Sequence, residues 1–102
     1  MISVIVTYKV APEFVDQNRQ NIQQFLKDFK KLDRSQFQYN VYIKKDELTF
    51  VHHSIYNDEN IQTELLNVPS FLEFQKARDE SGLVEMPKIE VLNFIGSTND
   101  AY

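Results

Sequence analysis

The only two histidines of the chain, His52 and His53, are adjacent within the segment TFVHHSIYNDEN, residues 49–60. Imidazole exchanges protons near neutral pH and is also a common metal ligand. The segment reads as a β-strand, in which neighbouring side chains point to opposite faces of the sheet. The two rings therefore cannot share one metal ion without a bulge, and no cysteine is present to add thiolate ligands. We expect no metal site and two histidines that act separately.

Length and composition limit the number of domains, the classes of partner and the expected location of the protein. A chain of 102 residues fits one domain, expected over residues 1–96, with a loose polar tail over 97–102. The net charge of −4 argues against nucleic acid or an anionic membrane as the main partner. No signal peptide is recognised, no apolar run is long enough to span a bilayer, and cysteine is absent, so a reducing cytoplasmic location is expected.

The spacing of apolar residues predicts six elements in the order strand, helix, strand, strand, helix, strand. Pro69 is expected to break the second helix, and Ser70 with Glu73 matches a capping box that restarts it. Gly82 stands where a helix-ending glycine is expected. This order is typical of an α+β, ferredoxin-like βαββαβ domain, with a four-stranded antiparallel sheet and both helices on one face. The predicted bounds are strands 2–10, 37–44, 48–56 and 88–95, and helices 12–32, 57–69 and 71–80.

The predicted sheet is apolar on both faces. Val51 and Ile55 are expected to face the helices together with Val4, Val6, Tyr39 and Val41, leaving other apolar residues on the opposite face, namely Ile5, Tyr42, Phe50 and Tyr56. A face of that extent is rarely exposed on a soluble monomer. Either the C-terminal tail covers it or, as we prefer, the sheet of a second copy does, which would make a dimeric α/β barrel. The residues expected at that dimer interface are Tyr42, His52, Tyr56 and Phe94.

Four segments carry a resemblance to a known family: VTYKVAPE at the first strand, TFVHHSIYNDENI at the third, LLNVPSF after it, and the closing IEVLNFIG. Through these segments the chain to about Gly96 resembles the antibiotic biosynthesis monooxygenases, which are small dimeric α/β-barrel proteins. In that family the third strand usually ends with an acid, one residue, and then Trp or Tyr. Here Ser54 fills the acidic position and Tyr56 the aromatic one. A His that the family often carries corresponds to Leu65.

The resemblance implies an oxygenase that needs no cofactor and acts on a quinol-like or polycyclic aromatic molecule, whose own electrons reduce oxygen. The haem-degrading branch of the family uses Asn, Trp and His at positions that match Val6, Leu65 and Gln75, so haem cleavage is not implied. The protein would supply a dry cavity and a group that removes a phenolic proton. The residues expected to contact the substrate are Val6, Tyr8, Tyr39, Leu65 and Phe71.

His53 shares its strand face with Val51 and Ile55, so we expect it to point toward the helices and to act as the catalytic proton acceptor. The alternative is that His53 lies at the edge of the core and is hydrogen-bonded to the backbone. His52 is expected to point into the barrel and to form a hydrogen bond between subunits. The alternative function is a non-catalytic small-molecule binding or sensing protein on the same barrel. An RNA-binding module with the same strand order is disfavoured, because the third strand lacks its basic residue and glycines.

Overall fold

The computed structural model describes residues 1–99, so the last three residues of the predicted tail lie outside the described part of the chain. Within it, the observed elements follow the predicted order, with a break in the second helix and a short 3₁₀ turn, Pro12–Phe14, before the first helix. The elements are β1 (Ile2–Lys9), α1 (Val15–Phe29), β2 (Phe37–Ile43), β3 (Thr49–Tyr56), α2 (Glu59–Leu66), α3 (Pro69–Glu80) and β4 (Glu85–Leu92).

The four strands form one antiparallel sheet in the order β2-β3-β1-β4, which is the predicted ferredoxin-like topology. In the central pair, β1 and β3, Val6 lies opposite His52, and Ile5 lies opposite His53. The β2–β3 hairpin is fixed by Asp46, whose carboxylate accepts hydrogen bonds from the backbone N–H groups of Leu48 and Thr49 at 2.9 and 2.8 Å. These contacts set the register that decides which histidine faces which side.

The facing predicted for β3 is wrong. Phe50, His52 and Tyr56 point toward the helices and are buried, whereas Val51 and Ile55 point away and are half-buried. Both faces of this strand are apolar, so alternation alone does not tell which face is inside. The aromatic rings fill the deeper space under the helices, and the aliphatic pair takes the outer face. The expected places of Tyr56 and His52 at the dimer interface are therefore wrong as well.

The break at Pro69 is confirmed, but the predicted capping box is wrong. Helix α3 begins at Pro69 without a side-chain cap. The Ser70 hydroxyl instead donates to the Asp28 carboxylate on α1 at 2.6 Å, which ties the two helices together. Gly82 follows α3 with φ of 79°, the left-handed conformation that a helix-ending glycine supplies.

Strand β4 lies at the edge of the sheet and begins three residues earlier than predicted. Its pairing with β1 shifts register between Thr7 and Lys9, opposite Met86 and Pro87. An edge strand with an irregular register can hold a proline, because no ladder hydrogen bond from that nitrogen is needed there. Phe94 follows the strand and is half exposed.

The sheet face that points away from the helices is partly apolar, although with different members from those predicted. Ile5 is half-buried and Tyr42 is 58% exposed on this face, where the aliphatic side chains of β3 join them. The four described helical segments include none with the length and apolar character needed to cross a bilayer.

Candidate functional site

A cavity of about 260 Å³ lies between the inner face of the sheet and helices α2 and α3. Its walls are mainly aromatic and aliphatic, with a few polar groups between them, which is the usual character of a small-molecule site. The volume suits a ligand of one or two rings. The lining residues that matter most below are Val6, Tyr39, His52, Phe71, Phe74 and Arg78.

His52 forms the polar centre of this cavity. The residue is 3% exposed, and both ring nitrogens are hydrogen-bonded to tyrosine hydroxyls. Tyr8 lies 2.7 Å from Nε2, and Tyr39 lies 2.8 Å from Nδ1. The strand pairing explains this arrangement, since β1 and β2 flank β3 and each contributes an inward-pointing tyrosine. A buried imidazole is tolerated here because neither ring nitrogen is left without a partner.

A fourth polar side chain extends the arrangement on the α1 side. Asn18 is fully buried, and its Nδ2 donates to the Tyr8 hydroxyl at 2.9 Å. With Asn18 as its donor, the Tyr8 hydroxyl can donate its own proton to Nε2 of His52; the ring proton then lies on Nδ1 and is donated to Tyr39. Asn18 Oδ1 has no hydrogen-bond partner among the described residues. We call these four residues, Asn18, Tyr8, His52 and Tyr39, the polar chain.

Burial keeps the members of the polar chain neutral. Burial, together with a smaller contribution from the positive charge of Arg78, lowers the pKa of His52 to about 3. It also raises the pKa of the Tyr8 hydroxyl and raises that of Tyr39 well above its ordinary value. Each shift has the same main cause, because removing water penalises whichever form carries a charge. At neutral pH the cavity therefore presents an uncharged imidazole and protonated phenols.

Arg78 is the charged group of the cavity. Its side chain follows Phe71 and Phe74 on the inward face of α3, and its guanidinium carbon lies 5.2 Å from the centre of the Tyr8 ring and 5.4 Å from that of Phe74. The Nε atom donates to the carboxylate of Asp79 at 3.0 Å. Within the described part of the chain, the two terminal nitrogens of Arg78 make no hydrogen bond.

The cavity brings together some of the predicted site residues and not others. Val6, Tyr39 and Phe71 line it. Tyr8 does not line it and is connected to it through the hydrogen bond to His52. The remaining substrate-contact prediction, Leu65, is fully buried and does not line the cavity, because its neighbour Leu66 takes that place.

His53 is on the outer face of the sheet, where Nε2 lies 3.2 Å from the Ser3 hydroxyl, so the prediction that it faces the helices is wrong. The proton-accepting role given to it depended on that facing. Residues 1–99 hold no group of three or more His, Asp and Glu side chains placed to bind a metal ion.

Three site residues were missed from the sequence: His52 as a cavity residue, Asn18 and Arg78. For the last two a signal was present. Asn18 stands four residues before Ile22 on the apolar stripe of α1, and Arg78 stands four residues after Phe74 on that of α3. A polar residue in an apolar stripe must be satisfied inside the protein, and that is a reason to suspect a site.

Comparison with solved structures finds the same fold in proteins named as antibiotic biosynthesis monooxygenases. A candidate member from Nitrosomonas europaea matches with a TM-score of 0.80 and 11% identity, covering 94% of this chain and 100% of that one. One from Caulobacter crescentus matches at 0.79 and 18%, covering 93% and 90%. One from Deinococcus radiodurans matches at 0.77 and 15%, covering 97% of each chain.

At these identities the likeness establishes the fold, and the resemblance of the sequence to antibiotic biosynthesis monooxygenases is confirmed at that level. No protein-family model and no curated protein sequence matches the chain.

Proposed function

We propose that this protein is a cofactor-independent monooxygenase that acts on a quinol-like aromatic molecule of one or two rings. The observation that carries the proposal is a neutral, buried imidazole held between two tyrosine hydroxyls at the wall of an aromatic cavity. The fold shared with proteins named as antibiotic biosynthesis monooxygenases supports it. This assignment moves the proton-transfer role from His53 to His52.

The proposed reaction requires only the substrate and molecular oxygen. A phenol with a free para carbon loses its hydroxyl proton, and the electron-rich phenolate reduces oxygen and forms a carbon–oxygen bond at that carbon. Loss of water from the resulting hydroperoxide leaves a quinone. One oxygen atom enters the product, the other leaves in water, and the two hydrogens lost by the substrate are accounted for in that water. The four electrons that oxygen accepts all come from the substrate.

The polar chain gives the protein its part in this reaction. When the ring proton of His52 is on Nδ1, that nitrogen donates to Tyr39, so the Tyr39 hydroxyl is free to donate to a phenolate oxygen in the cavity. Rotation of the Asn18 amide would let its unpaired Oδ1 accept from Tyr8, and every hydrogen bond in the chain would then reverse. Nδ1 would then accept from Tyr39, and Tyr39 from the substrate. Asn18 is thus a positioning residue that selects whether the site donates or accepts a proton.

The same proposal includes a homodimer formed through the outer face of the sheet. Tyr42 is largely exposed there, and Ile5, Val51 and Ile55 make the face partly apolar. A second sheet packed on this face would remove it from water, as expected for a dimeric α/β barrel. The cavity lies on the other side of the sheet, so each subunit would hold its own site.

A non-catalytic binding or sensing protein is the second candidate. The low pKa of His52, about 3, favours it, because such an imidazole is a weak base while the cavity is empty. On this alternative the polar chain would only orient a ligand and satisfy its hydrogen bonds.

Oxygen uptake with 1,5-dihydroxynaphthalene under oxygen-18 gas distinguishes the two candidates. A monooxygenase gives 5-hydroxy-1,4-naphthoquinone that carries one labelled oxygen atom, at a rate proportional to the amount of folded protein. Heat-denatured protein supplies the background of spontaneous oxidation. A raised unfolding midpoint with this probe but no uptake above that background would contradict the monooxygenase and support the binder, since a ligand at a hundred times its Kd stabilises by about 2.7 kcal/mol.

A further inference from the structure

We propose that the cavity selects ligands that carry a carboxylate, which the two terminal nitrogens of Arg78 bind side by side while the aromatic walls hold the ring. The inference rests on the proposed function in taking the same cavity as the ligand site, and it names the substrate class as aromatic carboxylates. Because it concerns affinity, it is decided by binding measurements even if no turnover is found.

The guanidinium of Arg78 is held in place before any ligand arrives. The residue as a whole is 9% exposed, and the rings of Tyr8 and Phe74 flank the guanidinium within 5.4 Å. Asp79 fixes the Nε edge, which leaves the outer edge of the planar group, with both terminal nitrogens, without a protein acceptor in residues 1–99. A rigid fork with two unused donors is the geometry that binds a carboxylate through two parallel hydrogen bonds.

The charges around the cavity also favour an anionic ligand. Among the described residues that line it, Arg78 is the only cationic side chain, and no carboxylate is present. Asp79 is half exposed, so water screens its charge, and its contact with Nε lies away from the unused donors. A buried positive charge without a buried partner is costly, and an anionic ligand would remove that cost.

A carboxylate fits this site better than a phosphate or a phenolate. One guanidinium carries one positive charge, which balances a carboxylate but not a phosphate dianion. A phenolate offers one oxygen and cannot use both donors in parallel. The rest of the wall includes Val6, Phe71 and Phe74, which suit the face and edge of an aromatic ring.

The test compares the affinities of three probes for the wild-type protein by calorimetry: 2-naphthoate, the neutral isostere 2-naphthamide and 2-naphthol. We expect 2-naphthoate to bind at least about tenfold more tightly than either of the other two, because charge-assisted hydrogen bonds are roughly twice as strong as neutral ones. Equal affinities of the three probes would overturn the proposal, and this comparison needs no variant.

Variants assign the preference to one residue. Arg78→Gln should bind 2-naphthoate and 2-naphthamide equally, and Arg78→Lys should lose most of the preference because an ammonium lacks the planar fork. Arg19→Gln makes the same change at an exposed site that does not line the cavity, and it should retain the full preference. Retention of the preference in Arg78→Gln, with the unliganded variants shown to be folded by their unfolding midpoints, would contradict the assignment.

Discussion

The two faces of strand β3 place adjacent histidines in opposite surroundings. His52 is buried, its two ring nitrogens are hydrogen-bonded to tyrosine hydroxyls, and its pKa is lowered to about 3. His53 is half-buried on the outer face and has one side-chain partner, Ser3. Although the two residues are adjacent, protonation of His52 is costly, whereas His53 lies beside the outer surface that we propose binds a second subunit. The inner face is therefore the one where chemistry is expected, and the outer face is the one where assembly is expected.

The largest effect is expected when a charge is placed on the outer face. Tyr42→Glu should raise the dimer dissociation constant by more than about a thousandfold, because each subunit would bury an unpaired carboxylate. Light scattering should give twice the 12.1 kDa chain mass for the wild type and the single chain mass for the variant. Leu72→Glu, at an exposed apolar position on α3, is the matched control and should remain dimeric. A wild type that is monomeric at micromolar concentration would contradict the proposed interface.

A smaller effect, now on stability, is expected at the inner face. Tyr8→Phe removes the hydroxyl that partners both His52 and Asn18, and leaves two buried polar atoms unpaired. The free energy of unfolding should fall by at least about 2 kcal/mol, since each of the two atoms costs roughly 1–3 kcal/mol.

Ser3→Ala makes the corresponding change on the outer face, where it removes the partner of His53. It should cost at most about 1 kcal/mol, because His53 is only half-buried and water can replace the hydroxyl. Stability is measured by urea denaturation. Equal losses of unfolding free energy in the two variants would show that the hydrogen bonds of the inner polar chain contribute no more than the outer one between Ser3 and His53.

The last stability prediction concerns pH. Because the pKa of His52 is lowered in the folded state, the unfolded chain binds the proton first as the pH falls below about 6.5. Protonation therefore favours unfolding, and stability declines as the pH falls from about 6.5 toward about 3, by up to about 1.4 kcal/mol per pH unit. His52→Gln should lack this contribution. A wild type and a variant whose stabilities change in parallel between pH 6.5 and pH 4.5 would mean that His52 is readily protonated in the folded protein.

The topology could be read from the sequence because each element carries its own periodicity. The alternation of Ile2 to Lys9 and the three- and four-residue spacing of Ile22, Phe25 and Phe29 both report local geometry. The facing of β3 could not be read in this way, since Val51 and Phe50 are both apolar and only packing against the helices decides between them. Ser70 matched a local capping motif, but its hydroxyl donates instead to Asp28, which is distant in the sequence.

The site itself depends on contacts between residues far apart in the chain. Tyr8, Tyr39 and His52 come from three strands, and their spacing along the sequence gives no sign that their polar atoms meet within 2.8 Å. Arg78 was predicted only as part of a helix, although its place on an apolar stripe marks it as unusual. Polar residues in apolar stripes are thus the feature of this sequence from which more of the cavity could have been inferred.

Turnover of the paired variants His52→Gln and His53→Gln tests most directly which face of the sheet does the chemistry. The two substitutions are identical and stand one residue apart, so they differ only in the face they change. If His52 is the proton-transfer group, its variant should oxidise 1,5-dihydroxynaphthalene about 10²–10⁴-fold more slowly than the wild type, while the His53 variant stays within about threefold of it. The reverse order, or equal losses in two folded variants, would contradict the assignment of the inner face as the active one.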